Sequence, residues 1–290
     1  MFGYRRDGKK AKNLQPFFYV IPHVMKTRCD SQVYFKTDIP LEELDKYISQ
    51  KAEEGIKLSY MNIIYAALVR LLAERPQLNR FVMNGKIYDR NEIYISLAIK
   101  KSLTDEGAET TIKLPFTGKE NLFEIKEKLD KTIEKNKNTD EANDTDILAT
   151  VLSHTPSALV GIFVSFMKIL DKYGLLPKWV LKASPFHTSL FLTNVGSLGI
   201  DYIYHHLYDF GTTSLFFAMG KKKKSYIYED DEIKESKCIT LGFVGDERIC
   251  DGYYYASSMK LLNRMLRKPQ MLENSLEKNV EADTSVCPKK

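Results

Sequence analysis

The 290-residue chain has one tryptophan, four cysteines and little excess of charge. Cys29, Cys238, Cys250 and Cys287 show no Cys-x-x-Cys spacing and no paired framework. That argues against a disulfide scaffold and a zinc ribbon, and it fits a reducing compartment. Long apolar runs are missing as well. The longest, residues 158–167, stops at Lys168, well short of the roughly 20 residues that a spanning helix needs. The N-terminus, MFGYRRDGKKAKNLQPFF, is basic without an apolar core, so no secretory signal is read there and a cytoplasmic protein is expected. The 43 Lys and Arg against 38 Asp and Glu give a net +5, mixed along the chain with no basic stripe. A nucleic-acid partner is therefore not expected, and neither a metal-ligand motif nor an internal repeat is found.

What is present suffices for a packed core: 43% hydrophobic and 11% aromatic residues. Residues 1–15 read as a polar arm. Residues 17–20 read as extended and lead through Ile21, Pro22 and His23 into a strand over 32–38. His23 reads as a buried histidine whose ring nitrogens are satisfied by backbone. Pro40 suits the first turn of a helix over 41–54 that Gly55 ends. Ser59 caps a second helix to residue 74 that is apolar on most faces, hence central and buried. Asn84-Gly85 signals a type I′ hairpin between 80–83 and 86–88. Strands follow at 92–100 and 110–114 around a turn at 105–107, then an amphipathic helix at 119–135 and a polar linker at 136–146.

Residues 147–188 form an apolar insertion with a nearly uninterrupted apolar helix at 158–170 and the lone Trp179. Its pattern suits a helical hairpin packed on the sheet. A wall of an apolar acyl or acceptor pocket and a peripheral membrane contact are the alternatives. A strand at 189–193 runs into Asn194-Val195-Gly196-Ser197-Leu198-Gly199. Strands at 214–219 and 238–244 bracket 221–236, where Lys221–Lys224 look like a phosphate-binding patch but, facing the acidic 229–232, read rather as a solvated hairpin tip. Residues 241–256, LGFVGDERICDGYYYA, take a strand through a charged turn into a helix that ends near Arg267. Cys250 there reads as core packing. From 269 to 290 a polar, disordered tail is expected.

Three ordered elements carry a resemblance that covers residues 16–267. Glu247, Arg248, Asp251 and Gly252 resemble the His-Arg-x-x-Asp-Gly signature of dihydrolipoyl acyltransferase catalytic domains and chloramphenicol acetyltransferases, with Glu247 in the place of the catalytic histidine. Thr193, Asn194, Gly196 and Gly199 resemble that superfamily's Ser/Thr-Asn-x-Gly-x-x-Gly turn, and Ile21-Pro22-His23 before a strand resembles the start of its catalytic domain. The resemblance implies an α/β fold, a two-layer sandwich of a mixed β-sheet covered by helices (chloramphenicol acetyltransferase-like). It also implies a homotrimer with the active site between subunits, and coenzyme A as acyl carrier. Nothing ahead of the domain resembles a lipoyl or subunit-binding segment, so a complete swinging-arm component is not expected.

In that family a histidine deprotonates a thiol or hydroxyl acceptor, which attacks the acyl-CoA thioester while a hydroxyl stabilises the oxyanion. By resemblance Thr193 is the oxyanion donor, Asn194 supports the turn, Asp251 is the structural acid with Arg248 as its ion-pair partner, and Gly252 permits the turn into the helix. Glu247 stands at the base position, where burial would have to make a carboxylate basic enough. His205 or His206, just after the glycine turn, is the other candidate base. Two functions follow: an acyl-CoA-dependent acyltransferase acting on a small-molecule or carrier-bound thiol, hydroxyl or amine, or an inactive homologue acting as a binding or scaffold protein. Neither reading involves a metal.

Overall fold

The computed structural model describes residues 5–100, 109–138, 150, 153–229 and 231–276. Strands β1 (Gly8–Lys10), β3 (Arg80–Met83) and β4 (Lys86–Arg90) form a small antiparallel sheet in the order β1-β4-β3. The main sheet has six strands. They are β2 (Gln32–Pro40), β5 (Ile93–Lys100), β6 (Glu109–Phe116), β7 (Leu190–Asn194), β8 (Leu215–Glu229) and β9 (Glu232–Asp246), in the order β2-β9-β8-β7-β5-β6. β7 runs parallel to both β5 and β8, and the other pairs are antiparallel, so the sheet is mixed.

Alternation along the strands sends residues to two different layers. Leu190 and Leu192 of β7, Leu215 and Phe217 of β8, and Leu241 and Phe243 of β9 face the main core. Helices α2 (Glu42–Glu53), α3 (Tyr60–Glu74), α4 (Leu122–Asn138) and α7 (Gly252–Arg267) cover that face. α3 is the central helix: Ile63, Ile64, Leu68 and Leu71 are all fully buried. Its start is fixed by a reciprocal cap in which the Asn62 amide donates to Ser59 Oγ at 3.2 Å and the Ser59 amide donates to Asn62 Oδ1 at 2.9 Å. Asn62 also donates to Asp130 of α4 at 2.8 Å. Ser59→Ala is expected to lower the unfolding free energy by about 1 kcal/mol, read from urea denaturation. Asn84 and Gly85 have φ of 51° and 69° and close the β3–β4 hairpin as a type I′ turn requires.

Several local expectations are corrected. Residues 17–20 are not extended but open helix α1 (Phe17–Val24), which contains Pro22. Its run of Phe, Tyr, Val and Ile has strand composition, yet Phe18 packs on the core while Phe17, Val20 and Val24 share an exposed helical face. His23 lies exposed with its ring over Gly85 instead of being buried. Pro40 closes β2, and the helix after it begins with Leu41 as N-cap. Residues 5–15 are no loose arm, since Arg5 is buried and β1 pairs with β4.

Lys221–Lys224 lie within β8, because β8 and β9 extend past the sheet as a two-stranded ribbon that stays paired as far as Glu229 and Glu232. Three of these lysines are paired, Lys222 with Asp45 at 3.6 Å, Lys223 with Asp201 at 2.7 Å and Lys224 with Glu235 at 3.0 Å. After α7 the chain stays on the core, with Pro269 and Leu272 buried and Glu273 accepting from Tyr47 at 2.8 Å. The turn at 105–107, most of the 136–146 linker and the end of the tail fall outside the described residues.

The apolar insertion carries the largest correction. Helix α5 (Ser157–Lys172) forms where the periodicity places it, but it does not pack on the sheet. Leu159, Ile162, Phe163, Phe166 and Ile169 are exposed, as is Trp179 on the short helix α6 (Lys178–Ala183). Asp171 is the one buried residue of α5. Among the described residues no helix is long and apolar enough to cross a membrane.

Candidate functional site

Thr193 is the penultimate residue of β7, on the sheet face opposite the helices together with Phe191. The next residues form a tight 3-10 turn, in which Asn194 Oδ1 accepts from the Ser197 amide at 3.2 Å and Gly199 adopts φ 79°. The following segment lies flat across the strands. A Cβ on Gly220 would fall 1.3 Å from the Asp201 carbonyl oxygen, and one on Gly242 would fall 2.2 Å from that of Ile203. Only glycine at these two places lets backbone cross backbone so closely. The crossing delivers His205 onto the sheet, its ring stacked on Phe216 at 4.1 Å and 8°.

Thr193 and His205 thus line one cavity of about 180 Å3, walled by Phe186, Phe191, Tyr208 and Phe216. His205 Nδ1 lies 2.8 Å from the His206 carbonyl oxygen. A carbonyl only accepts, so Nδ1 carries a proton, and in the neutral imidazole Nε2 is the basic nitrogen, the tautomer a general base needs. His206 is exposed and outside this cavity.

The Asp-Gly motif sits at the other end of the sheet. Thr193 pairs with Ala218, and Ala218 with Gly242. Glu247 is therefore roughly 17 Å further along β9 and two strands across, so one chain does not bring Glu247 and Thr193 together. Glu247 is exposed, and its amide donates to the Ser31 carbonyl at 2.8 Å.

Arg248 does not pair with Asp251. It is buried and forks onto Asp246 at 2.8 and 2.7 Å, and donates to the Met25 carbonyl at 3.0 Å. Asp251 instead caps α7, accepting from the Tyr254 amide at 2.7 Å. Gly252 has open space where a Cβ would stand and no positive φ, so the turn does not require glycine there. Cys250 is buried and burial pushes its thiol up to about 12, in keeping with core packing rather than nucleophilic chemistry.

A buried ionic network that the sequence did not disclose ties the N-terminal segment to α5. Arg5 donates to Asp7 at 2.8 Å and to Asp171 at 2.7 Å, and His187 lies 3.0 Å from Asp171 and 2.8 Å from Ser184 Oγ. Burial raises the Asp171 carboxyl, and the hydrogen bond from His187 with the Arg5 guanidinium outweighs it, holding the group at about 2. Burial pushes His187 down, so the imidazole is neutral, donating from Nε2 to Asp171 and accepting from Ser184 at Nδ1.

Nearby, burial and then the Arg90 charge bring Lys113 down to about 7, with its amine donating to the Leu181 and Ser184 carbonyls. In the unfolded chain a lysine titrates near 10.4. Between about pH 7 and about pH 10 the unfolded state therefore binds the extra proton, and stability rises with pH. The unfolding free energy of wild type relative to Lys113→Met is expected to climb across that window, by at most about 1.4 kcal/mol per pH unit. Urea titrations at pH values spanning the window check it.

The layered arrangement, a mixed sheet with helices on one face and a glycine turn presenting a hydroxyl on the other, is a fold shared with solved acyltransferase catalytic domains. The chain superposes on a probable dihydrolipoamide acetyltransferase from Listeria monocytogenes with TM-score 0.58 and 17% identity, over 90% of this chain and 95% of that one. The cubic core of a pyruvate dehydrogenase multienzyme complex gives 0.59 and 13% identity, over 88% and 87%. A dihydrolipoamide acetyltransferase from Azotobacter vinelandii, described for the catalytic roles of a serine, a histidine and an asparagine, gives 0.56 and 14%, over 83% of each chain. Residues 182–273, which hold both the glycine turn and the Asp-Gly motif, match the family model of 2-oxoacid dehydrogenases acyltransferase (catalytic domain). No curated protein sequence matches the chain.

Proposed function

We propose that the protein transfers an acyl group from acyl-coenzyme A to a small-molecule or carrier-bound thiol, hydroxyl or amine, at the cavity shared by Thr193 and His205. That shared cavity is the observation that carries the reading. His205 Nε2 removes the acceptor proton as the acceptor attacks the thioester carbonyl. The Thr193 hydroxyl donates to the oxyanion of the tetrahedral intermediate. Collapse expels the coenzyme A thiolate, which recovers the proton from His205. Aromatic walls suit an apolar acyl group or acceptor better than a charged one.

The fold's relatives motivate a homotrimer, in which the Glu247 end of one copy meets the Thr193 cavity of the next. Glu247 would then be the competing base. The second reading, a binding or scaffold protein without turnover, is favoured by the exposed carboxylate at Glu247 and by the uncovered apolar face of α5.

Calorimetry with coenzyme A and acetyl-CoA, paired with thioester turnover, separates these readings. Wild type, His205→Gln and Glu247→Gln form the panel. Binding with turnover lost in His205→Gln supports the proposal, and loss in Glu247→Gln alone moves the base to the carboxylate. Binding without turnover supports the silent relative, and no binding at all leaves the scaffold.

A further inference from the structure

On the other side of Phe186 and Tyr208 from the Thr193 cavity, a larger one of about 510 Å3 opens between α1, the β3–β4 hairpin, the C-terminal end of α5 and residues 209–211. Five cationic side chains line it, Lys26, Arg28, Lys168, Lys172 and Arg248, against two carboxylates, Asp171 and Asp209. Both carboxylates are already engaged. Asp171 holds Arg5 and His187, and Asp209 accepts from the Arg28 amide at 2.8 Å. Arg248 is neutralised by Asp246. Lys26, Lys168 and Lys172 have no ion pair among the described residues.

Arg28 is the built element. It is 4% exposed, and its terminal nitrogens reach only carbonyl oxygens, those of Tyr208, Asp209 and Val82 at 3.3, 3.2 and 3.1 Å. Its Nε is buried and has no hydrogen-bond partner among the described residues. Burial lowers its pKa, the mark of a cation whose lost hydration is not fully replaced. A buried guanidinium bonded by its side chain to carbonyls and to no carboxylate, beside three ammonium groups without an ion pair among the described residues, is chemistry suited to a phosphate oxygen. The volume exceeds that of a lone phosphate, and Met83 and Phe210 add apolar wall.

We propose that this cavity binds a phosphate-bearing organic ligand, with Arg28 on the floor and Lys26, Lys168 and Lys172 at the rim. The two cavities share no lining residue, although Arg28 donates to the carbonyl of Tyr208, which walls the smaller one.

The test is calorimetry with pyrophosphate on the full chain, alongside sedimentation with phosphatidylcholine vesicles containing phosphatidic acid. Wild type is expected to bind pyrophosphate saturably, one per chain. The Lys168→Glu/Lys172→Glu variant, altered only at exposed positions, is expected to bind at least about tenfold more weakly with unchanged thermal unfolding. Arg28→Lys keeps the charge but not the fork and is expected to weaken binding too. Vesicle binding that pyrophosphate competes away would identify a lipid headgroup as the source of the phosphate, and pyrophosphate binding without vesicle binding a soluble ligand. Absence of both, or equal affinity in the double-glutamate variant, overturns the site. Acyl transfer lost in His205→Gln with pyrophosphate binding intact tells the two proposals apart.

Discussion

Replacing His205 with glutamine is expected to lower acyl-transfer kcat by about 10²–10⁴-fold, the usual loss when a general base is removed. KM for acetyl-CoA should change little, because glutamine fills similar space and the ring is not the part that would hold the carrier. The variant should remain folded: the imidazole is only half-buried and sits over Phe216 outside the main core. Glu247→Gln, by contrast, is expected to stay within a few-fold of wild type. The two are compared in steady-state kinetics across pH, where the acid limb of kcat/KM should disappear with His205 alone. If the limb survives in His205→Gln and vanishes in Glu247→Gln, the base is the carboxylate and the cavity is only a pocket.

The largest stability effect is expected at Arg248, which the motif resemblance places as a supporting ion-pair partner of Asp251. Its guanidinium and the Asp246 carboxylate are both almost wholly buried, at 2% and 0% exposure. Asp246 also accepts from Ser31 Oγ at 3.0 Å and from the Arg248 amide at 3.1 Å, and its carbonyl accepts from Tyr255 at 2.8 Å. Arg248→Met strips the cation from a carboxylate with no route to water, which typically costs about 3–5 kcal/mol. Urea denaturation should show that loss. Adding Asp246→Asn should restore part of it, since a neutral amide no longer needs the charge. Turnover per folded molecule should be unchanged. A loss of turnover with stability intact would instead make Arg248 a direct participant.

Periodicity disclosed much of the frame. The Ser59 cap and the apolar spacing of α3, the Asn84-Gly85 turn and the strand leading to Thr193 are local signals, and all are where the sequence places them. What escaped depends on partners distant in sequence. Arg248 adjoins a motif aspartate, yet its fork closes on Asp246, because Asp251 turns its oxygen to the free amides of α7. Hydrophobicity identified α5 as a helix but says nothing of what covers it. The lysines at 221–224 read as a tip because charge suggests a turn, whereas strand pairing runs on for as long as each partner supplies an edge. Arg28 and Lys113 gave no sign in the sequence, since their isolation arises only when four or five separate segments close around them.

The flat crossing over Gly220 and Gly242 bears on how such a protein can change over time. His205 is placed by main chain resting on main chain, with no side chain as a spacer. Substitutions that reshape the core on the helical side of the sheet therefore have little leverage on the position of the imidazole. The hydrophobic interior is free to drift across many generations while the cavity keeps its shape, and the two glycines are the narrow points through which inherited variation reaches it.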